Sequence, residues 1–353
     1  MPSVRRGGAP VPGRRPAVRA GRYDAPVTPG PFPSPARRVL HASGPDAGGR
    51  PGPLVSAAWL AAHRDDADIV LLHVSPNRRV YARRHLPSAV FVRLHRDLAL
   101  AGTAPDTGDA AREWLLPART EVEAALVRWG VGRDHGPGGP PPRLVFYDDI
   151  GLNRQAIRGY WLLRLYRYPA DRVHVLDGGL RAWVAAGGAV TRDEPVHAPA
   201  ITGAEAGRGT ITLGELDASL IATADEVLAW SDEASAPGGP TRLLDVRSPE
   251  EYVGADGHGA RRAGRIPGAR HRWFGDLVRD DGTLRPVEDA IALVRGSGVD
   301  PGDVRATYCM GGIRAALGWF VLHELGGYDE VRNYAGSWEE WGNRADLPIE
   351  PDR

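Results

Sequence analysis

The sequence predicts an α/β protein built from two tandem domains, each a mainly parallel sheet with helices on both faces. Three observations carry that expectation. Strand-like apolar runs alternate with runs of helical period. The whole pattern occurs twice. At one cysteine the period changes from that of a strand to that of a helix within a few residues.

In the first copy, Leu144-Val145-Phe146-Tyr147-Asp148 reads as an apolar strand, followed by a helix around Gly159-Tyr160-Trp161-Leu162-Leu163. A second strand, Val173 to Asp177, runs into Gly178-Gly179-Leu180-Arg181-Ala182-Trp183. In the second copy, Ala306-Thr307-Tyr308-Cys309 leads to a helix with Gly318-Trp319-Phe320-Val321-Leu322, and Val331 to Tyr334 runs into Ala335-Gly336-Ser337-Trp338-Glu339-Glu340-Trp341. Upstream, Ile69 to Val74 parallels Leu243 to Arg247, and His85-Leu86-Pro87-Ser88-Ala89 parallels Arg265-Ile266-Pro267-Gly268-Ala269. Strands joined through helices form parallel sheets whose sites lie beyond the carboxyl ends of the strands. The expected boundaries are a disordered tail over 1–53, a first domain over 54–190, a linker over 191–220 and a second domain over 221–350.

Composition excludes several function classes. The 44 basic residues are all arginine, and 44 acidic residues balance them, so nothing global points to nucleic acid or membrane as a partner. One cysteine allows neither an internal disulfide framework nor a cysteine-rich zinc site, and it suits a reducing, cytoplasmic setting. No apolar run approaches the roughly 18 residues that read as a membrane span. His63, His95 and His323 are scattered, so no metal is expected; the Gly-Gly pairs make no dinucleotide fingerprint, so no cofactor is expected. The first 53 residues carry nine arginines and no periodic apolar face, too little to offset the entropy of ordering.

Cys309 stands where the period changes. Val304, Ala306 and Tyr308 fit a short buried strand, Gly311 and Gly312 make a turn, and Ile313, Leu317, Phe320, Val321 and Leu325 recur at helical spacing. A lone cysteine is often just a small buried hydrophobe. Here it would sit at a helix N-terminus among backbone N–H groups, a setting that favours an anion. Aligning the copies puts Asp148 where Cys309 stands, so one half carries a nucleophile and the other does not.

With these motifs in this order, the chain from Leu54 to about Ile349 resembles the two-domain sulfurtransferases of the rhodanese family. The resemblance rests on Leu54 to Leu60, on Leu176-Asp177-Gly178-Gly179 with Trp183, and on Ile221 to Val227. It rests also on Asp245-Val246-Arg247, Ile266-Pro267-Gly268-Ala269 and the cysteine loop. It implies a catalytically silent first domain and a second that carries a persulfide-forming Cys309. The donor would be thiosulfate or 3-mercaptopyruvate and the acceptor cyanide or a thiol, with a thioredoxin-like reductant as a possible partner. It further implies that backbone groups of Met310, Gly311, Gly312, Ile313 and Arg314 cradle the sulfur, and that Arg247 contacts the donor anion. The alternative for Arg247 is an ion pair with Asp245 or Glu250 that orders the loop, with Asp245 orienting it. Arg314 has two readings, toward the donor or outward along the helix. Arg261 and Arg262 are candidates for a second anion contact.

The loop departs from the family pattern. Thiosulfate-type loops read Cys-Arg-Lys-Gly-Val-Thr and mercaptopyruvate-type loops Cys-Gly-Ser-Gly-Val-Thr, whereas this chain has Cys-Met-Gly-Gly-Ile-Arg. Two other functions compete with sulfur transfer. An anion hydrolase of the same fold type would need Cys-x5-Arg, and Cys309 to Arg314 is one residue short. A fold kept without catalysis would give a sulfur-sensing or partner-docking protein.

Overall fold

The structure, a computed structural model, describes residues 51–103, 111–131, 140–150, 152–194 and 211–350. The expected disordered tail, apart from 51–53, and residues 195–210 of the expected linker lie outside the described residues.

The first half contains strands β1 (Leu54–Val55), β2 (Ile69–Ser75), β3 (Val90–Arg93), β4 (Leu100–Thr103), β5 (Ala111–Leu115), β6 (Arg143–Tyr147) and β7 (Val173–Leu176). Its helices are α1 (Ala57–His63), α2 (Arg78–Arg83), α3 (Arg119–Arg128), α4 (Arg154–Leu165) and α5 (Gly179–Ala185). Five strands form one sheet in the order β1-β7-β6-β2-β3, every neighbouring pair parallel. Successive strand residues face opposite sides. Leu72, Val74, Leu144 and Phe146 accordingly enter one core cluster, and Leu71, Val145 and Tyr147 another. Among the strands named here, β4 and β5 pair antiparallel and stand outside both parallel sheets.

The second half contains β8 (Leu243–Asp245), β9 (Arg270–His271), β10 (Ala306–Tyr308) and β11 (Arg332–Asn333), parallel throughout in the order β11-β10-β8-β9. Around it lie α6 (Ala224–Ser235), α7 (Pro249–Tyr252), α8 (Val287–Arg295), α9 (Ile313–Trp319) and α10 (Ser337–Trp341); α9 continues in wider turns to Leu325. One face of this sheet, through Leu244 and Val246, joins the large core cluster of the first half. Helices α4 and α9 pack together at that junction, with the Tyr160 and Phe320 rings edge to face at 5.1 Å. Gly159 and Gly318 permit close packing: a Cβ would lie 2.6 Å from Phe146 Cε1 in one case and 3.1 Å from Val246 Cγ1 in the other.

The sequence repeat is a structural repeat in detail. Tyr147 and Tyr308 each accept with their hydroxyl, from the Leu86 N–H at 3.0 Å and the Ile266 N–H at 3.3 Å. Tyr81 and Tyr252 each donate to the carbonyl that ends the same turn, Ala89 and Ala269. Those turns need a left-handed residue, supplied by Ser88 (φ 64°) and Gly268 (φ 73°). The indoles of Trp183 and Trp341 donate to Ala189 and Pro348 carbonyls at 2.8 and 2.7 Å, so both are packing residues with a satisfied N–H.

Candidate active site

Cys309 follows β10, which is paired on both sides by β8 and β11, and it is 1% exposed. Its N–H donates to Ser337 Oγ at 3.1 Å, its carbonyl accepts from the Trp338 N–H at 2.9 Å, and the Met310 carbonyl accepts from the Glu339 N–H at 2.8 Å. The turn closes at Gly312, whose φ of 78° and 2.9 Å spacing from a Cβ position to Ala335 admit no side chain. Ser337, in the position held by Gly179 in the first half, also has a left-handed φ of 51°. That strain, of order 1–3 kcal/mol for a non-glycine residue, is offset by the hydroxyl, which also donates to the Tyr334 carbonyl at 2.7 Å.

The first half shows what this strand–turn–helix geometry does with an anion. Asp148 occupies the equivalent strand end, and the Leu180 N–H meets its carbonyl as the Trp338 N–H meets that of Cys309. Its carboxylate accepts from the N–H groups of Asn153, Gln155 and Ala156 at 3.3, 3.0 and 3.2 Å. The start of α4, whose first N–H groups have no partner within the helix, is thus capped from inside. The two turns differ in length: Tyr147 to Gly159 spans twelve steps and Tyr308 to Gly318 ten. At Cys309 the shorter turn brings a thiol, with no carboxylate, to the start of α9.

Two arginine–carboxylate ion pairs, and two arginines from the first half, surround the turn. Arg247 is 1% exposed; its Nε meets both Asp245 oxygens at 3.0 Å, and its Nη2 donates to Asp245 Oδ2 at 2.6 Å and to the Gly264 carbonyl at 2.9 Å. Trp338 lies 4.5 Å beneath the guanidinium, and the Asp245 charge raises its already high pKa against the cost of burial. The ion pair with Asp245, one of the two readings for Arg247, is thus present. Arg314 likewise pairs with Glu251 through both Nη atoms, one at 2.7 Å. The Glu251 carboxyl is held down to about 2, against burial, chiefly by hydrogen bonding to Arg314. Arg262 donates to the carbonyls of Trp341 at 3.0 Å and Leu347 at 2.9 Å, closing the end of α10.

The remaining pair, Arg154 and Arg158, comes from α4 of the first half and was not foreseen. Cys309 acts electrostatically on both, as it does on Arg314. The side chains of Met310 and Ile313 belong to two different core clusters. Trp114 of β5 covers Gly311, where a Cβ would come within 2.0 Å of the indole. The hairpin is tied down by Glu339, whose carboxylate accepts from the N–H groups of Glu113 and Trp114 at 2.7 and 3.3 Å. Burial pushes the Glu339 carboxyl up.

This architecture is that of a tandem rhodanese: residues 56–186 and 223–344 each match the family described as rhodanese-like domain, and the chain belongs to that family. It is similar over most of its length to proteins named for sulfur transfer. It is 31% identical over 306 residues to the sulfur carrier protein TtuD of Thermus thermophilus, covering 85% of this chain and 96% of that one. It is 32% identical over 307 residues to a thiosulfate sulfurtransferase of Corynebacterium glutamicum, covering 85% and 91%. It is 34% identical over 299 residues to a Pseudomonas aeruginosa protein named a probable 3-mercaptopyruvate sulfurtransferase, covering 82% and 94%. Among solved structures, the anaerobic ergothioneine biosynthesis enzyme of Chlorobium limicola shares the fold, with a TM-score of 0.66 at 24% identity over 85% of this chain and 70% of that one. No described helix is long and apolar enough to cross a membrane.

Proposed function

We propose that the protein moves a sulfane sulfur from thiosulfate or 3-mercaptopyruvate to cyanide or a thiol, through a persulfide on Cys309. The observation that carries this is the position of Cys309 at a strand end before the start of α9, where the equivalent turn already holds a carboxylate on three N–H groups. The thiolate attacks the outer sulfur of thiosulfate; the new S–S bond forms on Cys309 and sulfite leaves with the electron pair of the old one. With 3-mercaptopyruvate the C–S bond breaks instead, and pyruvate leaves after taking a proton. Cyanide then takes the terminal sulfur as thiocyanate and returns the thiolate, which makes the cycle ping-pong. A thioredoxin-like dithiol would serve the same second step in a reducing compartment, and we assign the protein to the cytoplasm on that ground. The Met310 to Arg314 backbone supports the charged sulfur, and a helix start stabilises a nearby anion by about 0.3–1 kcal/mol, or ~2 when partly buried.

Two alternatives have specific weak points. An anion hydrolase would need Arg314 free for the substrate, and Glu251 occupies it. A purely partner-binding role gives no use for an ordered turn around a single thiol. The test is turnover by purified protein with each donor and cyanide as acceptor, together with mass spectrometry. Expected are thiocyanate release, a mass gain of about 32 Da on donor treatment, and loss of both in Cys309→Ser. No turnover with either donor and no adduct would sink the reading.

A further inference from the structure

We propose that Arg158, on helix α4 of the first half, is the cation that receives the anionic sulfur donor beside Cys309. The proposal rests on the sulfurtransferase reading and assigns a substrate-binding role to the half of the chain that lacks the nucleophile. Arg158 is 0% exposed. Its Nε donates to the Leu98 carbonyl at 3.2 Å and its guanidinium lies 4.7 Å from the Trp161 ring centre, yet neither Nη1 nor Nη2 has a hydrogen-bond partner. A buried cation with two unmatched donor groups is costly to keep. It is aimed at the cysteine turn: a Cβ on Gly312 would stand 3.0 Å from Nη1. Burial pushes the guanidinium down to about 10 while Cys309 pulls it up, so it remains a cation at neutral pH.

The other charges around Cys309 leave this role open. Arg247 is held by Asp245 and Arg314 by Glu251, so each of these two cations carries its own carboxylate. Arg154, one turn before Arg158, lies over Phe274 at 5.4 Å and feels the Asp148 charge. Among the described residues, Arg158 is thus the buried cation at this turn that no carboxylate neutralises. Its two unmatched Nη groups form the planar edge that a sulfonate or carboxylate accepts side by side. Thiosulfate carries such a group bonded directly to the transferable sulfur, and 3-mercaptopyruvate carries its carboxylate two carbons away from it.

Because Cys309 is the single thiol, its alkylation reads this site alone. Iodoacetate and iodoacetamide are nearly the same size and differ in charge, so the ratio of their rates cancels access and reports local positive charge. In the wild type the ratio should exceed that of free cysteine, and Arg158→Gln should lower it by about tenfold, the scale of one charge-assisted contact. Arg158→Lys should retain most of it. With thiosulfate, Arg158→Gln should raise KM more than it lowers kcat. A folded Arg158→Gln with an unchanged ratio overturns the proposal. If that variant does not fold, absence of any anion preference in the wild type, or its full loss in a folded Arg158→Lys, overturns it instead. Lack of turnover with both donors would defeat the sulfurtransferase reading while leaving the alkylation ratio interpretable.

Discussion

Replacing Glu251 by glutamine removes the carboxylate that neutralises Arg314 and leaves a largely buried guanidinium facing a neutral amide. Two lines give the size of the effect. Lowering the carboxyl from 4.5 to about 2 is worth roughly 3 kcal/mol at ~1.36 kcal/mol per pH unit. Breaking a buried pair by removing one partner costs about 3–5 kcal/mol. Both place the loss near 3 kcal/mol at neutral pH. The sign with pH follows from the depressed value: the stabilisation is complete above about 4.5 and disappears as pH falls through about 2. Urea unfolding of wild type and Glu251→Gln across that range should show a gap that is full at neutral pH and closes towards the acid end, where the wild-type carboxyl is itself protonated. A gap that stays constant with pH would refute the ion-pair account. A gap well under 1 kcal/mol would show that water relieves Arg314 in the variant.

Other substitutions probe the remaining parts. Asp177, beside the second half and accepting from the Leu284 N–H at 2.8 Å, is pushed by burial up to about 6. Its charge therefore favours the fold least above that value. Asp177→Asn should stabilise the protein by ~1–3 kcal/mol at neutral pH and leave it unchanged below about pH 3.8, as thermal melts at the two pH values would show. Asp148→Ala should cost about 1–3 kcal/mol by stranding three N–H groups, without abolishing sulfur transfer, and chemical denaturation with a turnover assay separates the two readouts. Gly311→Ala, which drives a methyl into Trp114, should cost ~1–3 kcal/mol through overpacking, measurable as a lowered melting temperature.

Much of this was legible because the relevant signals are local. The alternation of strands and helices, the glycines that let α4 and α9 approach their sheets, and the strand–cysteine–turn unit all lie within short stretches. The Asp245–Arg247 pair was visible in outline too, since the two residues stand only two positions apart at the end of one strand. The Glu251–Arg314 pair joins residues 63 positions apart and has no local signal. Arg158 was missed for a different reason. It stands among Ala156, Ile157, Gly159, Tyr160 and Trp161, a run whose sequence says helix and nothing more. A lone arginine inside an otherwise buried helix was the available signal. Trp114 and Glu339 meet only through the β4–β5 hairpin, whose register the sequence pattern did not suggest.

The Asp148 carboxylate makes the first turn self-liganded, as though its anion were tethered at unlimited concentration. The Cys309 turn holds no carboxylate; on the proposals above its anions are the thiolate itself and the donor that Arg158 receives from solution. By mass action, ligand stabilises a fold by RT ln(1 + [L]/Kd) only where a site is open to it. Dissolved sulfite, sulfate or thiosulfate should therefore slow hydrogen exchange at the start of α9 and leave the start of α4 unaffected. The two halves share a fold, but on this reading only the second exchanges an anion with the medium.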